Sequence, residues 1–169
     1  MTSDVVTLQA VTLSDAEAIF RAWGGCRDNF AYLTARVFLD VDDAKRYIEG
    51  LFQPANSCAF HIVLAGAGIV GIVKAQLVGH RAQVGYVVHR PYCGNGFATS
   101  AVRQIVERLE AMPQVSRIWA TCGLENHGSI RVLEKCGFQR EGILRNWVAY
   151  PAQGGAVFDN YSYVRIPRA

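Results

Sequence analysis

Val84–Val102, V-G-Y-V-V-H-R-P-Y-C-G-N-G-F-A-T-S-A-V, is the stretch that decides the fold of this chain. It begins as an apolar strand and ends as a helix, and Gly94 and Gly96 lie in the turn between them. This layout leaves several backbone N–H groups unpaired at the positive end of the helix. Such a turn suits a phosphate group, although the same glycines would also serve a tightly packed corner without a ligand.

The residues from Ala98 onward predict a parallel pair of strands. Ala98–Met112 has the apolar spacing of an amphipathic helix, which Pro113 ends, and Val115–Cys122 reads as the next strand. Because a helical crossover joins the strand that ends at Val88 to Val115–Cys122, we expect the two to be parallel neighbours with antiparallel partners on either side. A sheet of this kind can separate at the junction and admit a long, narrow ligand.

The other elements follow from periodicity and turn residues. Ser14–Glu17 reads as a capping box for a helix that Gly24 and Gly25 end, and a second helix begins near Asp40–Asp43 and ends before Pro54. A short helix runs from about Ser129 to Cys136, with Asn126 as its N-cap and Gly137 as its left-handed stop. The remaining predicted strands are Val5–Gln9, Cys58–Leu64, Ile69–Val78, Gln83–Val88, Ile143–Tyr150 and Val157–Arg165.

These elements predict an α/β (α+β) fold in one domain over residues 1–169. The sheet is mixed and mostly antiparallel, with about seven strands, and about four helices flank it. The segment Cys26–Leu39 has no clear period. Its simpler interpretation is a surface connection, and the alternative is a loop over a substrate cleft.

Composition excludes several classes of protein. Hydrophobic residues make up 51% of the chain, charged residues 18%, and the net charge is +3, so neither a disordered tail nor a nucleic-acid-coating protein is expected. Five scattered cysteines indicate free thiols in a reducing compartment. Cys58 and His61 have no second pair to complete a metal site, so we expect no metal. Without a leader-like or membrane-spanning apolar run, the protein is expected to be cytoplasmic and away from the membrane.

The phosphate-containing ligand can be narrowed by elimination. A dinucleotide fold needs a third glycine and an acidic residue about 20 residues further on. Here Ala98 and Thr99 occupy the third position, and Ala111–Leu124 contains no Asp or Glu. The G-K-S or G-K-T of a P-loop is also missing. The remaining ligand with a pyrophosphate and a long tail is coenzyme A.

Two blocks of this sequence resemble the GNAT superfamily of acyl-CoA-dependent N-acetyltransferases. Cys93–Ala98 matches the family's phosphate signature, Gln or Arg followed by x-x-G-x-G or x-x-G-x-A, except at Cys93 itself. Asn126–Phe138, N-H-G-S-I-R-V-L-E-K-C-G-F, is similar to the N-x-x-S-x-R-V-L-E-K-x-G-F string of the RimJ/RimL-like branch, which acetylates protein N-termini. Glu141–Arg145 also resembles that branch.

The resemblance implies a GNAT-type sheet and a set of coenzyme-binding residues. Val87 and Val88, at a bulged strand end, would present backbone groups to the pantetheine arm and the thioester carbonyl, although the same residues could form an ordinary buried strand. Gly94–Thr99 would supply amides to the pyrophosphate. The residues expected to bind acetyl-CoA are Val87, Val88, His89, Gly94, Asn95, Gly96, Phe97, Ala98, Thr99, Asn126 and Ser129.

The same resemblance implies the catalytic residues Ser129, Glu125 and Asn126. Ser129 would protonate the leaving thiolate, and Asn126 would contact the pantetheine amides while capping its helix. A water chain to Glu125 or His127 would suffice as base, because an α-amino group with a pKa near 7.7 to 8.0 is already roughly a tenth neutral at pH 7. Arg131 and Lys135 are more simply solvated helix charges.

The implied reaction is direct attack of a primary amine on acetyl-CoA in a ternary complex, with a protein N-terminal α-amine as the leading acceptor. The alternatives are a small-molecule amine or antibiotic as acceptor and, in a different class, a non-catalytic acyl-CoA-binding sensor or interaction module. An acetyl-Cys93 intermediate is a competing mechanism, but nothing in the sequence places a base beside that thiol. A monomer and a homodimer both remain open.

Overall fold

Seven strands form a single mixed sheet in the order β1-β2-β3-β4-β5-β7-β6. The computed structural model describes residues 6–53, 57–64 and 66–167. Neighbouring strands are antiparallel except for β4 and β5, which are parallel, as the helical crossover between them predicts. The strands are β1 (Val6–Ala10), β2 (Ser57–Leu64), β3 (Gly68–Val78), β4 (Arg81–Val88), β5 (Arg117–Gly123), β6 (Gln139–Ala149) and β7 (Val157–Arg165).

Helices cover both faces of the sheet. They are α1 (Ala16–Ile19, continued by a π-helical turn at Phe20–Gly24), α2 (Val41–Phe52), α3 (Phe97–Glu110) and α4 (His127–Lys135). α3 and α4 pack on one face, where Ile105, Leu109 and Leu133 are fully buried. α1 and α2 pack on the other face, where Ile19 and Ile48 are fully buried. The predicted chain order and the mixed α/β class are therefore confirmed.

The ends of the helices follow the predicted signals in most cases. The Asp40 side chain caps α2 by accepting from the Asp43 N–H at 2.9 Å, and Gly137 follows α4 in the left-handed region with φ of 78°. Phe52 is 41% exposed, because it is the last residue of α2 and lies beyond the core. β6 begins at Gln139, four residues before the predicted Ile143.

The capping box of the first helix lies two residues earlier than predicted. Thr12, not Ser14, is the N-cap, and the Asp15 carboxylate accepts the Thr12 N–H at 2.7 Å. Ser14 cannot cap because it already lies inside a 3₁₀ turn, Leu13–Asp15. The same carboxylate approaches the buried His61 Nε2 of β2 at 3.1 Å. This bond fixes the Asp15 carboxylate and joins the start of the helix to the sheet.

The pairing of β3 with β4 is regular through Gly71 and Val88, so the bulge expected at Val87–Val88 is not in this ladder. The irregularity lies in β3 instead. Its pairing with β2 shifts between Ile62 and Val63, where β3 carries an additional residue, Val70. The Val70 carbonyl accepts the His89 N–H at 2.7 Å and so extends the β3–β4 ladder beyond Val88.

Three sequence predictions touch positions outside the described residues: Val5 at the start of the first strand, Pro54 after the second helix, and Ala65 between the strands Cys58–Leu64 and Ile69–Val78. Within residues 6–53, 57–64 and 66–167, no helix is both long enough and apolar enough to cross a membrane.

The Asp15 carboxylate of this capping box generates a prediction for stability. Burial raises the pKa of Asp15, but its hydrogen bonds to Thr12 and His61 outweigh burial and hold the pKa below the ordinary 3.8. A carboxyl with a depressed pKa stabilises the fold above its unfolded pKa, and this stabilisation is lost as the pH falls through the folded value. Asp15→Asn should therefore lower the free energy of unfolding by about 1 kcal/mol at pH 7.

Urea unfolding between pH 7 and pH 3 measures this effect, and the difference from the wild type should shrink below about pH 4. Asp42→Asn is the matched control, because Asp42 forms only an exposed pair with Lys45 and should contribute almost nothing. A constant difference across the pH range would contradict the role of the Asp15 charge.

Candidate active site

The sheet opens between β4 and β5. β4 pairs with β3 along its whole length, from Arg81 to Val88, but with β5 only from Arg81 to Gln83. In the described part of the chain, the edge of residues 84–88 that faces β5 therefore has no strand partner. Backbone N–H and C=O groups on this edge are available to a ligand, since unpaired strand edges readily accept an extended partner.

The turn after β4 presents bare backbone to the same opening. Gly94 and Gly96 have φ of 87° and 83°, a region that favours glycine, and a Cβ on either residue would meet only open space. Gly96 is the N-cap of α3 and offers no side chain to its first turn. The first bond of the helix runs from Ser100 N–H to the Gly96 carbonyl, so the amides of residues 97–99 precede the helical bonds. The end of a 14-residue helix thus faces the cavity with free donors.

A cavity of about 800 Å³ lies in the opening. This volume is within the range of small-molecule and coenzyme sites. Most of the residues predicted from sequence line it. They are Val87, Val88, Gly94, Gly96, Phe97, Ala98, Thr99, Glu125, Asn126 and Ser129.

Two predicted residues, His89 and Asn95, do not line this cavity. His89 lines a separate recess with Ala18 and Arg21, and its Nδ1 lies 3.1 Å from Asn29 Nδ2. The Asn95 side chain donates to the backbone carbonyls of Tyr92 and Cys93, both at 3.4 Å, and so braces the turn.

Ser129 lies at the start of α4, against the exposed edge of β4. The Asn126 side chain accepts the Ser129 N–H at 3.2 Å, which confirms the predicted cap. The Ser129 Oγ and the Tyr86 hydroxyl are 2.7 Å apart. Burial raises the pKa of Tyr86 far above its usual value, so its phenol stays protonated at neutral pH. Tyr86 was missed by sequence reasoning, although it lies within the opening stretch.

Other titratable groups stand around this pair. Burial raises the pKa of the Cys122 thiol to about 11, which keeps it protonated. Cys93, in the turn, has a raised pKa because burial outweighs the nearby Arg90, so little thiolate is present. Glu125 and His127 are exposed at the rim of the cavity, where their side chains approach within 3.7 Å.

The segment Cys26–Leu39 forms one wall of the cavity, so its interpretation as a simple surface connection was wrong. Residues 28–35 of this segment line the cavity, except for the buried Phe30. Asn29, which is only 9% exposed, holds the wall in place. Its Nδ2 donates to the Trp23 carbonyl at 2.7 Å, and its Oδ1 accepts the Arg90 N–H at 2.8 Å. These bonds tie the segment to the end of β4.

The hairpin of β6 and β7 closes the cavity beside this wall. Tyr150 packs edge-on against Tyr32, with ring centroids 5.8 Å apart. The Tyr150 hydroxyl donates to the buried Asn160 Oδ1 at 3.0 Å, and Gln153 Nε2 donates to the Ala31 carbonyl at 2.7 Å. The two walls are therefore joined by an aromatic contact and a hydrogen bond.

The charged side chains of the cavity are predominantly basic. Asp28 and Glu125 are its acidic lining residues, and its basic ones are Lys74, Arg90, Arg131 and Lys135. Among the described residues, no group of three or more His, Cys, Asp and Glu side chains could hold a metal ion.

The sequence profile of the acetyltransferase (GNAT) domain matches residues 6–139. A relative from Bacillus licheniformis, the uncharacterized N-acetyltransferase p20, is 28% identical over 170 residues, which cover 96% of this chain and 93% of that protein.

Solved structures with the same fold act on different acceptors. RimL, a ribosomal α-N-protein acetyltransferase solved in complex with coenzyme A, superposes with a TM-score of 0.83 at 17% identity, over 98% of this chain and 95% of that one. A spermidine N-acetyltransferase from Vibrio cholerae, in complex with CoA and spermine, superposes with a TM-score of 0.79 at 18% identity, over 96% and 95% of the two chains.

The backbone turn generates a prediction for ligand binding. Gly96→Ala should weaken binding of coenzyme A about tenfold, because alanine at this φ costs about 1–2 kcal/mol and shifts the amides of the turn. Isothermal titration with coenzyme A measures the change. Gly50→Ala is the matched control, because Gly50 lies in α2, outside the cavity and with open space around its Cβ, and should bind as the wild type does. Equal affinities of all three proteins would contradict a role for the turn.

Proposed function

Because the chain belongs to the GNAT acetyltransferase family, we propose that it transfers the acetyl group of acetyl-CoA to a primary amine by direct attack, and that this amine is a protein N-terminal α-amine. The observation that carries the proposal is the cavity between β4 and β5, in which a free strand edge, an uncapped helix start and the Tyr86–Ser129 pair face one another. We further propose that one domain, residues 1–169, carries out the reaction.

The residues present fit acetyl-CoA as the donor. The amides at Gly94–Thr99 would hold its pyrophosphate, because they combine free donors with the positive end of α3. The free edge of Val84–Val88 would bind the amides of the pantetheine arm as an added strand does. Cys93 departs from the Arg or Gln of the family signature. Since backbone groups supply most of the donors, we expect this departure to weaken binding without changing the reaction.

The reaction then needs two proton transfers. The lone pair of the amine forms a C–N bond to the thioester carbon, the C–S bond breaks, and the sulfur leaves with its electron pair. The Ser129 hydroxyl donates a proton to this sulfur and is reprotonated from water, while the Tyr86 hydroxyl, which stays protonated, holds Ser129 Oγ in place through their hydrogen bond. The surplus proton of the amine passes through water to Glu125 or His127 at the rim. A backbone N–H of β4 near Val87–Val88 stabilises the developing oxyanion.

An α-amino acceptor needs little help from a general base in this site. Roughly a tenth of an α-amine is neutral at pH 7, against roughly 0.04% of a lysine, so a distant and exposed base is sufficient. The charges of the cavity also favour this acceptor over a polyamine. Only Asp28 and Glu125, both exposed, supply negative charge among its described lining residues, whereas a polyamine carries several cationic groups that need acidic partners.

Two other functions compete with this proposal. The first is acetylation of a small-molecule amine or antibiotic. The Vibrio cholerae neighbour, which was solved in complex with spermine, supports this alternative. The second is a non-catalytic acyl-CoA sensor, for which Cys93 in the signature is the sequence hint. We place the enzyme in the cytoplasm, where acetyl-CoA is available and the free cysteines of the described residues would stay reduced.

Thiol release from acetyl-CoA, assayed against N-terminal peptides and small amines, tests the proposal. We expect peptides to react and spermidine not to react, and we expect Cys93→Ala to retain most of the turnover because its thiol stays protonated. Turnover with small amines alone would contradict the acceptor. Tight coenzyme binding without any turnover would support a sensor, and loss of turnover in Cys93→Ala would support an acetyl-cysteine intermediate.

The Tyr86–Ser129 pair generates a second prediction. Ser129→Ala should lower kcat about 100-fold with little change in the KM for acetyl-CoA, because a proton donor to the leaving group acts mainly in the transition state. Tyr86→Phe should lower kcat by a smaller factor, about five to ten. Steady-state kinetics measure both, and Ser116→Ala is the control because Ser116 is exposed and outside the cavity. An increase in KM alone would assign Ser129 to binding.

A further inference from the structure

Lys74 stands at the acceptor side of the cavity, just beyond the point where β4 and β5 separate. It belongs to β3 and pairs with Gly85, two residues after Gln83, the last residue of β4 that pairs with β5. Strand alternation places Lys74 on the same face as Ile72, which packs with α1 and α2. The turn at Gly94–Thr99, where we place the pyrophosphate, lies beyond the other end of this opening. Lys74 and this turn therefore lie towards opposite ends of the opening.

The path of the Lys74 side chain depends on Gly85. A Cβ at position 85 would lie 3.2 Å from Lys74 Cε and 3.6 Å from Cγ. The aliphatic stem thus lies flat across β4, in space that any larger residue at position 85 would narrow. The ammonium group projects from there into the cavity, which Lys74 and Gly85 both line.

An aromatic ring supports the ammonium group. Lys74 Nζ lies 5.8 Å from the centroid of the Tyr47 ring, a cation–π distance. The Tyr47 ring is held in turn by Phe38 and Trp23, with centroids 5.2 Å and 5.9 Å away. The ammonium group therefore has a favourable contact with an aromatic ring that is itself held in place by its neighbours.

This ammonium group lacks a negative partner in the described part of the chain. Lys74 takes part in none of the ion pairs of the described residues. The Lys74 side chain is exposed to solvent through the open cavity, although the surrounding protein lowers the pKa of its ammonium group. A cation in the wall of a cavity, without a counter-ion of its own, is available to pair with a negative group of a ligand.

We infer that Lys74 binds a carboxylate of the acceptor, so that the preferred substrates are primary amines that carry a carboxylate near the amino group. This inference rests on the proposed acetyl transfer and names the substrate class of the same site. The carboxylate can belong to an acidic side chain close to a peptide N-terminus or to a free amino acid. In both cases, Lys74 holds the anion while the amine faces the thioester.

Matched acceptors test the inference. Peptides that differ only in having Glu, Gln or Lys near the N-terminus, and free glutamate beside its diamide, are assayed by thiol release with the wild type, Lys74→Met and Lys74→Glu. The wild type should favour the Glu peptide over the Gln peptide about tenfold in kcat/KM, because one partly desolvated charge pair distinguishes them. Lys74→Met should remove the preference, and Lys74→Glu should shift it towards the Lys peptide. Reaction of glutamate instead of the peptides identifies the small-molecule source.

Lys45→Met is the matched control, because Lys45 is an exposed lysine of α2 outside the cavity and should keep the wild-type preference. Thermal unfolding with coenzyme A confirms that each variant is folded. An equal loss of turnover with every peptide in Lys74→Met would overturn the inference and would assign Lys74 to a step that all acceptors share. A wild type that reacts equally well with the Glu, Gln and Lys peptides would also overturn it.

A binding measurement separates this inference from the proposed function. Calorimetry with the same peptides, in the presence of coenzyme A, reports anion recognition without turnover. Glu-dependent binding that disappears in Lys74→Met, in a protein without turnover, would uphold the anion site and refute the acetyl transfer. Turnover without Glu-dependent binding or preference would uphold the acetyl transfer and refute the anion site.

Discussion

The end of β4–β5 pairing at Gln83 is the constraint on which the rest of the site depends. A strand interior to a sheet normally satisfies its backbone groups on both sides, and leaving five residues without a partner on one side is unfavourable unless something else binds there. Here the freed edge leads, through a 3₁₀ turn at Arg90–Tyr92, into the glycine turn and the start of α3. One local separation therefore supplies donors along the length of an extended ligand.

The packing on the two faces of the sheet keeps this separation open. On one face, α3 and α4 share a continuous buried cluster with the strands, and Ile118 and Leu133 are completely buried in it. On the other face, the rings of Trp23, Phe30 and Phe38 pack together beneath the segment that walls the cavity. Closing the gap would require both clusters to repack, which densely packed cores resist. The cleft is thus a property of the folded chain before any ligand binds.

The side of the cavity proposed for the donor could be predicted from sequence to a greater extent than the side proposed for the acceptor. The turn glycines and the Asn126 cap are local signals, because the backbone conformation they impose is decided within a few residues. The Tyr86–Ser129 bond joins residues 43 positions apart and depends on how α4 lies over β4, which no local pattern contains. Asn29 lies in a segment without periodicity, and its three partners come from other elements.

Different segments of the chain form the two parts of the cavity wall, and this separation affects how the substrate range can evolve. In the proposed function, the residues assigned to the donor lie between Val84 and Thr99 and near the start of α4, whereas those assigned to the acceptor come, apart from Lys74, from residues 28–35 and from the β6–β7 hairpin. A substitution at Tyr32 or Tyr150 touches no residue of the glycine turn. After gene duplication, substitutions in these two segments can therefore change the acceptor while the residues assigned to the donor stay the same. The acceptor specificity is then expected to evolve faster than the reaction itself.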